Sequence, residues 1–354
     1  MSLEQRITAF STLGRFLSQF SSETPQKIDD LPKNNLFFDG MSEALLRAQQ
    51  QNAWFTLPHL RLTLQHWSDA LSEENLKKWL ASYEIHSPEN QKTIGIVMAG
   101  NIPLVGFHDL LCVVLCGHKV QAKLSSNDTV LLPFLASYLE AIAPQLKGCI
   151  QFTEDRLEDF DAVIATGSNN TARYFEQYFG KYPNIIRKNR NGVAVLTGTE
   201  THEELLGLSE DIFRYFGLGC RNVSKLYVPK GYSFDAFFNA MYEQRDVINH
   251  HKYINNYDYN KAVYLMGELS LLDNEFMLLK KDSAMASPIS VVFYEYYEDL
   301  ASAEAILKEQ EENIQVLVGN SVPFETVPLG KAQEPNLWDY ADGVDTVNFL
   351  LNLS

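Results

Sequence analysis

Cys220 is the residue of this sequence best placed to act as a nucleophile. It follows Gly217 and Gly219, precedes Arg221 and Asn222, and stands at the mouth of an alternating apolar run in YFGLGCRNVSKLYVP, 215–229. A packing cysteine sits inside an apolar periodic run. Here glycines let backbone and substrate come close, and the strand that follows fixes the thiol, an arrangement suited to attack on a carbonyl. Three other stretches carry donors at the ends of strand-like runs. In MAGNIPLVGFHDLL, 98–111, Asn101 follows a strand end and Gly100 permits a tight turn, with Pro103 where a helix would start. Asn101 has two readings, a cap on that helix or an oxyanion-stabilising amide. In AKLSSND, 122–128, Lys123, Ser125 and Ser126 close a strand, which suits either a nucleotide site or an N-cap loop. In ATGSNNTARYF, 165–175, Thr166, Gly167 and Ser168 lie between a buried strand and a helix whose first amides can face a phosphate.

Other groups read as structural. His108, Cys112 and Cys116 share one helical face, but the adjoining Leu111 and Leu115 make core packing the reading and no metal site is expected. Asp211, nine residues before Cys220, reads as a surface helix acid with a supporting polar role as the alternative, and His250 and His251 as pocket or surface residues. The fingerprint Gly-x-Gly-x-x-Gly occurs nowhere, which argues against a conventional Rossmann site.

These candidates need a scaffold. At 354 residues the chain exceeds what one core usually organises, so two α/β domains are expected. Residues 1–90 read as helices over 3–19, 41–50, 59–71 and 74–83, and from Thr93 short β-branched runs alternate with periodic segments, the grammar of a parallel sheet. A second alternation starts at GVAVLTG, 192–198, and the closing segment WDYADGVDTVNFLLNL reads as strand-like. The expected division is 1–191 for helices and a cofactor domain, 192–319 for a catalytic domain with the cysteine, and 320–354 returning to the first. With 29 basic against 45 acidic residues the formal charge of −16 repels phosphate backbones and anionic membranes, so nucleic acid is excluded as a partner. No apolar run has transmembrane length, and four cysteines without Cys-x-x-Cys spacing suit a reducing cytoplasm.

Taken in order, Asn101–Pro103, Lys123, Thr166–Ser168 and Gly219–Cys220 resemble the motifs of the aldehyde dehydrogenase superfamily, within it the acyl-CoA reductase branch that includes the fatty-acid reductases of bacterial bioluminescence. The resemblance spans about residues 90 to 350 and implies a non-standard Rossmann cofactor domain beside a catalytic domain. It implies Cys220 as nucleophile, its amide and Asn101 as oxyanion donors, Lys123 at the adenosine ribose, and Thr166, Gly167 and Ser168 along the cofactor. Ser125 and Ser126 complete the cofactor loop, and Ser126 stands where NAD-preferring members carry a glutamate, which implies NADPH. Hydrolytic members carry a water-activating glutamate where this chain has Arg187, so no carboxylate is expected there. Ala286–Pro288 replaces a second glutamate motif that grips the nicotinamide ribose. The implied activity is NADPH-dependent reduction of an acyl-CoA to the aldehyde through an acyl-cysteine. The alternatives are an NAD(P)-dependent aldehyde dehydrogenase forming acids and a silent scaffold subunit of a reductase complex. The implied partners are acyl-CoA and either an acyl-protein or a second copy of the chain.

Overall fold

Helix signals at the start of the chain are explicit. Ser2 and Gln5 form a reciprocal capping box, and Phe10, Leu13 and Leu17 recur at helical spacing to bury one face of α1 (Leu3–Ser18). Three more helices follow, α2 (Asn34–Gln51), α3 (Leu57–Ala70) and α4 (Glu73–Leu80), the last two capped by Thr56 and Ser72. The structure is a computed structural model and describes all residues except Ser87, Glu89 and Ser354.

The chain then alternates β1 (Thr93–Val97), α5 (Phe107–Leu115), β2 (Lys119–Lys123), α6 (Leu131–Ile142), β3 (Ile150–Thr153), β4 (Ala162–Thr166), α7 (Asn169–Phe179) and β5 (Asn184–Arg187). The strands form a five-stranded sheet in the order β3-β2-β1-β4-β5, parallel throughout. A parallel sheet covered by helices buries both faces, which is why β4 reads as an uninterrupted apolar run. One continuous core, including Phe10, Phe16, Phe107 and Tyr138, joins the opening helices to this sheet.

A second unit holds β6 (Asn191–Val195), α8 (His202–Phe213), β7 (Val223–Pro229), α9 (Asp235–Met241), α10 (His251–Met266), β8 (Leu271–Asp273), β9 (Leu278–Lys281), β10 (Val291–Tyr297), α11 (Leu300–Glu309) and β11 (Ile314–Val318). Its sheet order is β11-β6-β7-β10-β9-β8, with only β8 antiparallel. The units comprise Met1–Lys188 with Asn336–Ser354, and Asn189–Pro335.

Two boundaries depart from the sequence reading. The second unit runs past 319 because Val327 bridges Val318 and the amides of Gly330 and Ala332 donate to Asp211. The closing segment is not strand-like: Asp345 accepts the Asn348 amide and opens α12 (Thr346–Leu351), and Val347 and Leu350 pack into the first core. Apolar residues three apart decide for helix once a cap precedes them.

Candidate active site

In the first unit the strand order reverses between β1 and β4. Ligands of open α/β sheets bind at such a switch, beyond the carboxyl ends of the strands. The register sets Val97 beside Lys123 on one side and beside Ala165 on the other, so Lys123, the turn after β1 and Thr166 end on neighbouring strands. Lys123 is half-buried and makes no ion pair among the described residues. Close approach of the turns depends on Gly100, where a Cβ would lie 2.5 Å from the Ser125 hydroxyl. Ser125 accepts the Asn127 amide at 3.3 Å, and exposed Ser126 offers its carbonyl to Gln51 at 3.2 Å.

Asn101 lies exposed in the turn 98–106 and does not cap α5, whose N-cap is Gly106, and Pro103 precedes the helix rather than opening it. The reason is Leu104, held at φ 58 by its amide bond to Asp128 at 2.9 Å, which delays the helix to Phe107. Asp128 is 4% exposed with its Oδ1 unpartnered, and burial pushes its pKa up to about 6 although the Leu104 amide favours the charge.

The Thr-Gly-Ser turn offers fewer donors than its sequence implies. Thr166 ends β4 half-buried, the Gly167 amide donates to the Arg187 carbonyl at 3.3 Å, and the Ser168 hydroxyl caps α7 by accepting the Thr171 amide at 3.2 Å. Gly167 lets Thr171 and Phe175 pack against the turn, since a Cβ there would meet both at 3.0 Å.

Arg187, which stands where the resemblance placed a glutamate in other members, is itself paired with a carboxylate from α5. Its guanidinium grips both oxygens of Asp109, at 2.5 and 2.8 Å, and reaches the Thr346 hydroxyl at 3.1 Å. Both residues are buried; burial works against the charge, but the carboxylate outweighs it and holds the guanidinium above its ordinary pKa. Next to Asp109, His108 bonds the Leu337 carbonyl at 2.8 Å and packs against Trp79 and Tyr340. Cys112 and Cys116 are wholly buried thiols, and burial pushes Cys116 up to about 12.

In the second unit Cys220 is half-buried in the turn that enters β7. The approach is strained: Tyr215, Phe216 and Gly217 are left-handed at φ 52, 57 and 75. Only the glycine adopts that region freely, so the aromatic pair needs external support. Asn222 supplies it. Its side chain accepts the Gly219 amide at 2.8 Å and donates to the carbonyls of Asp211, Ile212 and Arg214 at 3.0, 3.3 and 2.8 Å. Arg221 donates to the Ala332 carbonyl. Gly192 lets β6 pass, since a Cβ there would lie 2.6 Å from the carbonyl oxygens of Arg221 and Asn222.

Asp211 is not a surface acid. It is wholly buried, accepts the Gly330 and Ala332 amides at 2.6 and 2.9 Å, and is raised to about 6 by burial against those two donors. His250 packs its ring on Phe216 with centroids 4.3 Å apart, and His251 follows at 5.1 Å. Phe216, Gly217, Ser287 and Pro288 border a crevice of about 30 Å³, room for a water and not for an acyl chain.

Sequence reasoning missed Asn222, Asp128 and Asp109. Each left a trace: an amide three residues after Gly219, an acid closing a serine turn, and a lone carboxylate in FHDLLCVVL. Among the described residues no cluster of histidine, cysteine and acid could hold a metal, and no helix is long and apolar enough to cross a membrane.

No protein-family model and no curated protein sequence matches the chain. Solved structures do. Aldehyde dehydrogenase 21 from Physcomitrella patens, in complex with the reaction product succinate, is similar at TM-score 0.65 and 14% identity over 91% of this chain and 74% of that one. An oxidoreductase from Marinobacter aquaeolei gives TM-score 0.65 and 11% identity over 95% and 79%. A variant of aldehyde dehydrogenase C from Pseudomonas syringae, in complex with NAD⁺ and octanal, gives 0.62 and 12% over 91% and 73%. The chain has the aldehyde dehydrogenase fold.

Proposed function

We propose that the protein is an NADPH-dependent reductase of acyl-CoA thioesters, with Cys220 as nucleophile. The observation that carries this reading is the pairing of Arg187 with Asp109: both carboxylate oxygens take guanidinium hydrogens. A carboxylate so engaged cannot also activate water. A thioester on Cys220 then lacks a hydrolytic base at that position and persists for exchange with coenzyme A.

The Cys220 thiolate attacks the thioester carbonyl, Asn101 and the Cys220 amide hold the oxyanion, and collapse breaks the bond to sulfur and expels the coenzyme A thiolate. NADPH, when bound, supplies the hydride that reduces the new thioester. Breakage of the second carbon–sulfur bond releases the aldehyde and returns the thiol. The residues fit such a cofactor in one respect: Lys123 offers a cation for a 2′-phosphate that no acid at Ser126 would repel. With Gly167 and Ser168 engaged internally, Lys123, Ser125 and the side chain of Thr166 carry the polar contacts. NADPH should therefore bind more tightly than NADH, and equal binding would remove the basis of the preference.

The likeness to oxidising aldehyde dehydrogenases favours a second reading, NAD(P)-dependent conversion of aldehydes to acids. Incubating an aldehyde with NADP⁺ separates the two. The reductase forms acyl-CoA with coenzyme A and little acid without it, whereas rapid acid formation without coenzyme A establishes the dehydrogenase. Mixing the protein with acyl-CoA alone should leave one acyl group on peptide 215–229, absent in Cys220→Ala; an adduct on Cys112, Cys116 or Cys149 would end the proposal. A silent scaffold subunit would form no adduct and bind no NADPH. The acyl donor, whether coenzyme A or an acyl-protein, and the cytoplasmic setting belong to this proposal.

A further inference from the structure

The first unit contains two buried guanidinium groups, and only one is paired. Arg187 is 5% exposed and Asp109 answers it from two oxygens. Arg6, in the second turn of α1, is 4% exposed, yet its Nε and Nη2 have no hydrogen-bond partner. Burial lowers its pKa, and among the described residues the Cys116 thiol opposes that shift. An unanswered buried charge is costly, and native chains keep one where something outside the chain completes it.

The space beside Arg6 is a pocket of about 300 Å³. Gln91, His118 and Cys149 line it, and they precede β1, β2 and β3 respectively. The pocket therefore lies at the strand-start edge of the first sheet, opposite the edge that carries Lys123 and Thr166. Among the described residues no carboxylate lines it. His118 accepts the Lys92 amide on Nδ1 at 3.3 Å and bonds the Leu350 carbonyl, so both ring nitrogens are engaged, and burial keeps its pKa low. Among the lining side chains Arg6 carries the positive charge.

Gly117 lets Arg6 pack against the backbone at this wall. It is left-handed at φ 87, and a Cβ there would lie 2.5 Å from Nη1 of Arg6. Gln91 donates to the Gly117 carbonyl at 2.9 Å, which fixes this wall. By the same measure of volume about 15 Å³ holds one water, so the pocket admits a compact anion with several waters.

We propose that this pocket binds a small oxyanion, the phosphate or carboxylate group of a compact metabolite, on the guanidinium of Arg6. Nη1, the nitrogen that lies beside Gly117, is the donor that an oxyanion in this space would meet.

The test uses the full chain, dialysed free of multivalent anions, and titrates inorganic phosphate and citrate separately by calorimetry. At least one should bind, phosphate alone pointing to a phosphate ester and citrate alone to a carboxylate. Arg6→Met should weaken that binding at least about tenfold, the loss expected for a charged hydrogen bond. Lys308→Met, on α11 of the second unit, should leave it unchanged. If Arg6→Met does not fold, the wild-type protein still decides: the anion should slow alkylation of Cys149 mapped by peptide mass and leave Cys220 unaffected. Absence of binding by both anions, equal binding in Arg6→Met, or Cys149 alkylation unchanged by a bound anion would overturn the proposal.

Discussion

The support of the nucleophile loop by Asn222 can be tested by two substitutions that predict opposite things if the assignment of its amide is wrong. Asn222 is 3% exposed, with its oxygen on the Gly219 amide and its nitrogen shared among three carbonyls 2.8 to 3.3 Å away. Asn222→Ala removes one accepted bond and two donated hydrogens at about 1 kcal/mol each and leaves buried groups unanswered, so the loop should lose about 2–4 kcal/mol. Asn222→Asp keeps the acceptor but turns an oxygen toward the three carbonyls. It should cost more, about 3–5 kcal/mol at neutral pH, in the manner of an unpaired buried charge. Its carboxyl binds a proton more tightly folded than unfolded, so the deficit shrinks as pH falls through the raised folded value. A chain of two units need not unfold in one step, so the assay is hydrogen exchange of peptide 215–229. The Gly219 amide should exchange about 30- to 1,000-fold faster in Asn222→Ala and faster still in Asn222→Asp. An aspartate tolerated better than alanine, or exchange unchanged in both, would refute the argument that this amide holds the left-handed run in place.

Three further outcomes follow from the first unit. Asp128 titrates at about 6 folded against 3.8 unfolded; the folded state binds the proton more tightly, so this group's contribution is fully present below about pH 4 and lost as pH rises through 6. Asp128→Asn should therefore match wild type at low pH and exceed it above pH 6 by up to about 3 kcal/mol in denaturant titrations, and equal pH profiles would count against the buried carboxyl. Arg187→Met strands Asp109 and should cost about 3–5 kcal/mol, much of it recovered in the double variant with Asp109→Leu; a double variant no better than the single would contradict the pairing. Gly100→Ala should cost about 1–3 kcal/mol by overpacking against Ser125 and weaken NADPH binding, with the stability partly restored by adding Ser125→Gly and the binding not, because a Cβ at 100 falls 2.6 Å from that of Ser125.

What the sequence made legible was whatever depends on spacing along the chain. The apolar run of β4, the capping box of α1 and the glycines before Cys220 are local signals, and each sits in the fold as its neighbours dictate. What it hid depends on partners distant in sequence. Arg187 reads as a basic residue in a basic stretch, and only the packing of α5 against β5 brings Asp109, seventy-eight positions away, to its guanidinium. Asp211 reads as one more acid on an amphipathic helix until the Gly330 and Ala332 amides arrive from beyond β11. Asn101 shows the same limit at short range: its turn looks like a helix start, but Asp128, contributed by the next crossover, holds Leu104 in a conformation that postpones the helix. Arg6 is the converse case. Its charge predicts exposure although it shares the face of Phe10 and Leu13 on α1, folding buries it, and the partner that would justify the burial is absent from the described chain. A buried charge answered within the chain supports the fold, and one left unanswered points outward to a ligand.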